Sequence, residues 1–557
     1  MSRRRFFVPA IAGTLLLIAA GVPLRTSAGS EGGPAVPPQS DPLRAETDGL
    51  FSVSSGCTSC HTRMTDADGT DVSIDAWWRS TMMANAARDP YWQASVRVET
   101  ENNPHLKSVI EDKCAACHTP MAHFTARQAG DEALLLDDGL LGSAHTLYPL
   151  GIDGVSCTLC HQIEPDNLGE AASFSGGYVI DTALPPGERR AYSRFEVDEA
   201  GARVMQAASG FVPEVGMHTV SAALCATCHT LYTPFVDDAG EVAGTFPEQT
   251  PFLEWQQSTY ADAVPCQTCH MPPAAGEVVT SITGGTPRSP FSKHEFVGGN
   301  AYLMGIFQAY GAELDVAASA DEFAATEQRA LDQLQREAAA LAIEQAGLSE
   351  THLTAVVSIA PKTGHKFPSG FPSRRAWLHV TVTDTTGAVI FESGGWTPDG
   401  RIAGDAHDAD PTQHEPHYTL IRSADEVQIY ESVLGDVNGE VTNILLRAAG
   451  YLKDNRLLPA GFDKANAHAD TLVIGEAASD GDFLGGGDRV IYAIPLNGAT
   501  GPFTLEAELL YQTISYHWAH KLDAYAETPE AARFLGYYEA QPNLPITVSS
   551  ARVEVGS

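Results

Sequence analysis

Cys57-Thr-Ser-Cys-His61, Cys114-Ala-Ala-Cys-His118, Cys157-Thr-Leu-Cys-His161, Cys225-Ala-Thr-Cys-His229 and Cys266-Gln-Thr-Cys-His270 decide how this chain is read. They use all ten cysteines, and a histidine follows each pair at once. Histidine fills 19 of 557 positions, so five such followers arise by chance with a probability on the order of 5 in 100 million. Two thiols at this spacing add to two vinyl groups on one porphyrin edge. The next histidine then lies under the ring and binds its iron. A disulfide framework accounts for an even cysteine count but not for the histidines. A zinc ribbon needs pairs of pairs, and five is odd; a thioredoxin-like motif occurs once. The sequence therefore predicts five covalently bound haem c groups. Cys57, Cys60, Cys114, Cys117, Cys157, Cys160, Cys225, Cys228, Cys266 and Cys269 hold them, and His61, His118, His161, His229 and His270 are the proximal iron ligands.

The motifs start 57, 43, 68 and 41 residues apart, too unevenly for a solenoid repeat. All lie within residues 57–270, about 43 residues per haem. With so little chain around each group, the porphyrins must supply much of the core. Groups packed so densely come close enough to exchange electrons.

The first residues, Met1-Ser2-Arg3-Arg4-Arg5, precede an apolar run to Leu24 and the small residues Ser27 and Ala28. This predicts a secretory signal peptide over 1–28, a periplasmic or extracellular location and no integral membrane anchor once it is cut. A polar, Pro/Gly-rich leader follows over 29–45. Acidic residues number 70 against 34 basic ones, a net charge of −36. Such a chain repels nucleic acid. Its expected partner is a redox protein that is basic or cationic at the contact, and an oligomer or filament fits the same reading.

The expected fold class is α+β multidomain. A haem-packed, mostly helical or irregular N-terminal half fills 46–312. A bridging helix spans 313–347, opened by the capping box Ser319-Ala-Asp-Glu322 and ended by Gly347. A C-terminal β-sandwich, of immunoglobulin-like or related arrangement, fills 348–557. Its strand candidates are 352–360, 376–384, 388–392, 426–434, 442–446, 489–495, 503–515 and 546–555. Residues 385–387 form a hairpin turn, and Thr528-Pro529-Glu530 opens a short helix to about Ala540.

On the far side of each iron, a second histidine suits a low-potential carrier, methionine raises the potential, and an open position permits chemistry. The candidates are His294, His218, His145, His123, His105, Met82 and Met83 in the haem half, and His365 in the loop Thr363-Gly-His-Lys-Phe-Pro-Ser-Gly370. His414 and His417, near Asp405, Asp408 and Asp410, offer a cation site, although a solvated acidic loop is the more ordinary reading. His517 and His520 are expected at the surface or interface of the β-rich half.

Residues 78–90, 114–121, 154–162, 247–255, 266–272, 294–299 and 364–370 resemble a family of bacterial multihaem cytochromes distantly related to the tetrahaem cytochromes of nitrification. The resemblance runs over most of the chain after the leader. It implies a haem-bearing N-terminal half, a β-rich C-terminal half and a ligand role for His294. It carries no defined reaction. The expected function is electron transfer. A nitrogen- or sulfur-oxyanion or hydroxylamine-type oxidoreductase with one open haem is an alternative, and a subunit of an extracellular electron conduit is another. Histidine at all five proximal positions favours a carrier over a catalyst.

Overall fold

Ser319 and Glu322 cap the helix Ala320–Gln333 reciprocally: each backbone N–H donates to the other's side chain, at 2.8 and 3.3 Å. Phe323, Thr326, Ala330 and Leu334 recur three to four residues apart and bury one face. Phe307 of the neighbouring helix Ala301–Tyr310 stacks on Phe323 with centroids 5.4 Å apart. The helix does not continue to Gly347 as expected. It ends at Gln333, makes one wide turn over Leu334–Ala338, and becomes the strand Ala339–Leu348. Leu334, Ala338 and Leu341 fit helical spacing, but the chain instead pairs in antiparallel register with His352–Pro361, Leu341 opposite Ile359. Cross-strand packing here outweighs the helix propensity of an Ala- and Glu-rich stretch.

The computed structural model describes residues 49–556, Asp262 excepted. The signal peptide and leader expected over 1–28 and 29–45 lie outside the described residues. Among the described residues, no helix is long and apolar enough to cross a membrane.

Two sheets build most of the C-terminal half. One has strand order Ile429–Tyr430, Arg375–Thr383, Phe503–Gln512, Ile546–Val555, with Val389–Ser393 also paired to Arg375–Thr383. The other runs Ala339–Leu348, His352–Pro361, Asp488–Pro495, Leu420–Ile421, and its last pair is parallel. Alternate residues of both sheets (Val357, Ile359, Val380, Val382, Val490, Leu505) share one core. The turn at 384–388 forms as expected. The Asp384 carboxylate accepts the Thr386 and Ala388 N–H groups, and Gly387 takes φ +82°, where a side chain is strained. Two strand expectations differ. Residues 426–434 form two short strands, Ile429–Tyr430 and Ser432–Gly435. Residues 442–446 form no strand, and a helical turn occupies Leu445–Arg447.

The N-terminal half consists of helices joined by irregular chain. The helix Pro90–Asn102 starts with proline at its first position and with Asp89 accepting from the Tyr91 and Trp92 N–H groups. It packs on the late helix Pro529–Ala540: Tyr91, Ala94 and Val98 share a core with Trp518, Leu522 and Phe534. Arg97 pairs with Glu530 at 2.9 Å across the same contact. The two halves are thus held together by apolar packing between segments over 400 residues apart in sequence.

The acidic segment 405–410 is exposed only at Ala409 and Asp410. Asp405 and Asp408 are buried, and the guanidinium of buried Arg375 donates to them at 2.7 and 2.8 Å. His517 is not at the surface either; it stacks on His407 with centroids 3.6 Å apart and lies 3.2 Å from Asp408. His520 is more open and pairs with Asp523. Removing Arg375 strands two buried carboxylates. Arg375→Ala is expected to lower stability by about 3–5 kcal/mol in urea unfolding. A loss below 1 kcal/mol shows that the cluster does not hold the sheet.

Candidate functional site

Each motif forms a helical turn or ends a helix. Cys114 to His118 close the helix Lys107–His118, Cys225 to His229 close Ala222–His229, and Cys266–His270 is a turn of its own. In a helical turn, residues i, i+3 and i+4 lie on one face. Both thiols and the imidazole therefore project the same way, which is the local reason for the spacing.

The five faces converge. All ten cysteines and all five motif histidines line one cavity of about 1040 Å³, at the large end for a ligand site. The ten cysteines form no disulfide among the described residues. Thiols of different motifs meet: Cys57 with Cys157, Cys117 with Cys228, and Cys225 with Cys266.

The histidines are held for ligation. Nδ1–H of His61 donates to the Thr280 carbonyl at 2.6 Å and that of His118 to Ala86 at 2.9 Å. His161 and His270 donate to Tyr192 and Val297, both at 2.5 Å. A backbone carbonyl on Nδ1 fixes the tautomer and leaves the Nε2 lone pair for a metal. Burial pushes the His118 imidazole down to about 4, so it stays neutral, as a ligand must. Trp92 lies parallel to its ring, centroids 4.1 Å apart.

Of the distal candidates, His294, His365, Met82 and Met83 line the cavity. His294 faces His161, ring centroids 6.5 Å apart and planes 23° apart. His365 faces His270 at 6.2 Å and 14°. Both separations are too long for stacking contact and leave room for one iron between the facing nitrogens. Nδ1–H of His294 donates to Ser292 and that of His365 to Lys366, the pattern of the motif histidines. His218, His145, His123 and His105 point elsewhere. His218 and His105 place Nε2 on the carbonyls of Ile163 and Gly240. His123 places Nε2 on Asp112, and His145 accepts the Leu147 N–H at Nδ1.

The residues present fit covalently held haem. The thiols are free and paired at the right spacing, and the imidazoles, four of them oriented by a backbone carbonyl, gather on a cavity walled largely by apolar side chains.

His417 meets Asp480 at 3.1 Å and Asp488 at 4.0 Å, both buried, rather than the acids near it in sequence. This group does not take a metal through Nε2. The amide oxygens of Gln428 and Asn455 accept backbone N–H groups of Tyr418 and Glu431, which turns both amide nitrogens toward His417 Nδ1. Nδ1 therefore accepts, and Nε2 carries a proton toward Asp480.

The loop bearing His365 is anchored by ions that sequence reading did not single out. Lys366 is buried and donates to Asp454 at 2.7 Å. Its backbone N–H donates to Glu254, and Arg456 bridges Asp454 and Glu254. A lone lysine beside a candidate ligand is the only local signal for this anchor.

No protein-family model matches this chain, and no curated protein is similar to it. Among solved structures it is similar to a penta-heme cytochrome c552 from Thermochromatium tepidum. Identity is 17%, the match covers 86% of this chain and 95% of that one, and the TM-score is 0.49. A likeness of this size assigns no function to this chain.

Burial pushes the Asp454 carboxyl up, and Arg456 and Lys366 more than reverse this, holding it at about 2. An unfolded aspartate titrates near 4. The stabilisation is complete above pH ~4 and is lost as pH falls toward 2. Asp454→Asn is expected to cost about 3–5 kcal/mol at neutral pH. The difference from the parent protein should shrink by about 2 kcal/mol as pH falls to 2 in urea unfolding; a constant difference refutes the ion anchor.

Proposed function

We propose that this chain is a five-haem c-type cytochrome that transfers electrons outside the cytoplasm. The observation that carries this reading is the convergence of all five Cys-x-x-Cys-His turns on one cavity, with thiols of different turns in contact. When bound, haem supplies a one-electron iron couple. The chain's residues do the rest. The cysteines would fix each ring by one edge, and Nδ1–H donations aim four of the five proximal imidazoles. The ring separations of 6.5 and 6.2 Å support His294 and His365 as second ligands to the irons that His161 and His270 would bind. Closed irons suit electron transfer rather than substrate chemistry.

Covalent attachment to cysteine pairs and the N-terminal segment of 1–28 together support a periplasmic or extracellular site of action. The net charge of −36 supports a partner with a basic contact surface.

A haemochrome assay should give five haems per chain, one for each motif; fewer overturns the reading. His365→Ala and His294→Ala should each turn one ferric iron from low to high spin in electron paramagnetic resonance, with haem content unchanged. An unaltered low-spin spectrum removes that histidine from the ligand set.

A further inference from the structure

Four of the five motif histidines give Nδ1–H to a backbone carbonyl, but a single hydrogen bond leaves a ring free to swing about that contact. Among the described residues, His118 is the one motif histidine with an aromatic ring lying on its face. The Trp92 indole is parallel to it, planes 1° apart and centroids 4.1 Å apart. The rings that face His161 and His270 stand 6.5 and 6.2 Å away, beyond contact. His118 is therefore held twice, at its edge by the Ala86 carbonyl and on its face by Trp92.

Both holds come from one short segment, and the turn between Ala86 and Trp92 is tied at several points. Asp89 caps the helix Pro90–Asn102 by accepting the N–H groups of Tyr91 and Trp92 at 2.9 and 3.0 Å. The Gln93 amide donates back across the cap to the Ala87 carbonyl at 2.6 Å. The Asn85 amide donates to the carbonyls of Arg79 and Thr81 at 3.0 and 2.9 Å. Arg88 donates to the Asp315 carbonyl at 2.7 Å.

The helix that carries Trp92 is gripped on two sides. Trp92 and Val96, one turn apart, face the core of the N-terminal half. Tyr91, Ala94 and Val98 face the core shared with Trp518 and Phe534 of the C-terminal half. The indole thus keeps its place independently of the imidazole beside it. A fixed flat wall on one face of a ring whose edge is hydrogen-bonded sets the rotation of that ring.

Rotation matters at a metal. In a low-spin ferric haem, the plane of an axial imidazole sets how the iron's d orbitals split, and so the g-values of that centre. Groups outside the ligand set act on a metal in this way, through the ligand they orient.

We propose that Trp92 is a positioning residue for the iron of the second motif: it fixes the rotation of the His118 imidazole about its bond to iron. The proposal rests on the five-haem reading and fails separately from it, because the haem count tests that reading and the g-values test this one.

The test is electron paramagnetic resonance of the oxidised protein with Trp92 replaced by phenylalanine or by leucine. Both replacements keep apolar bulk, and only phenylalanine keeps a flat face. Trp92→Phe should retain five haems and the g-values of the parent protein. Trp92→Leu should shift the largest g-value of one low-spin signal and leave the others in place. Loss of one haem from the leucine variant but not from the phenylalanine variant supports the proposal equally, since the ligand is then no longer presented. An unchanged spectrum in Trp92→Leu overturns it. So does the same shift, or the same loss of haem, in both variants, and so does a change spread over several signals, which marks a general loss of packing. Fewer than five haems in the parent protein overturns the five-haem reading itself.

Discussion

Ten thiols aimed at one cavity constrain everything around them. Each motif must be a helical turn, because only there do residues i, i+3 and i+4 share a face. Each turn must then be brought to the same wall as four others. The helices of the N-terminal half are short because the chain spends about 43 residues on each motif, and most of those residues connect rather than pack. Side chains alone do not close such a core, and the apolar wall of the cavity is of a kind that suits the packing of a porphyrin.

The β-rich half supplies rigidity at a distance. Its sheets carry the loop of residues 363–370 to the cavity, where His365 faces His270. That loop is pinned from behind by Lys366, Asp454, Arg456 and Glu254, four buried charges in two opposite pairs. Buried pairs of this kind contribute little net stability against an apolar substitute, yet breaking one is costly. Their use here is placement: they specify one position for the side chain that faces His270. The same half contributes Lys521 to the wall of the cavity, so the shape of the cavity depends on the contact between the two halves.

The sequence made the motifs, the capping box at Ser319, the hairpin turn at Gly387 and most strands readable, because each depends on residues a few positions apart. It misled at 339–348, where a run of alanines fits a helix and a strand equally well and pairing with Leu353 to Ile359 decides. It misled again at Asp405 and Asp408, whose neutralising Arg375 is 30 or more residues away. The grouping of His417 with nearby acids failed for the same reason: Asp480 comes from another loop and Asp488 from the start of the strand Asp488–Pro495. The order of the motifs in space is likewise long-range information that no local pattern encodes.

Histidine shows how one hydrogen bond separates roles that composition cannot. His61, His118, His161, His270, His294 and His365 give Nδ1–H to a backbone carbonyl, and all six line the cavity. His105, His123 and His218 commit Nε2 instead, and His145 and His417 accept at Nδ1. A ring that has spent its Nε2, or must carry a proton there, has no lone pair to offer a metal on that side. The backbone carbonyl beside each imidazole thus selects ligands before any haem is attached. Its position is set by the fold around the turn, which is why six of the cavity histidines, His229 apart, share one orientation while the others are committed to packing.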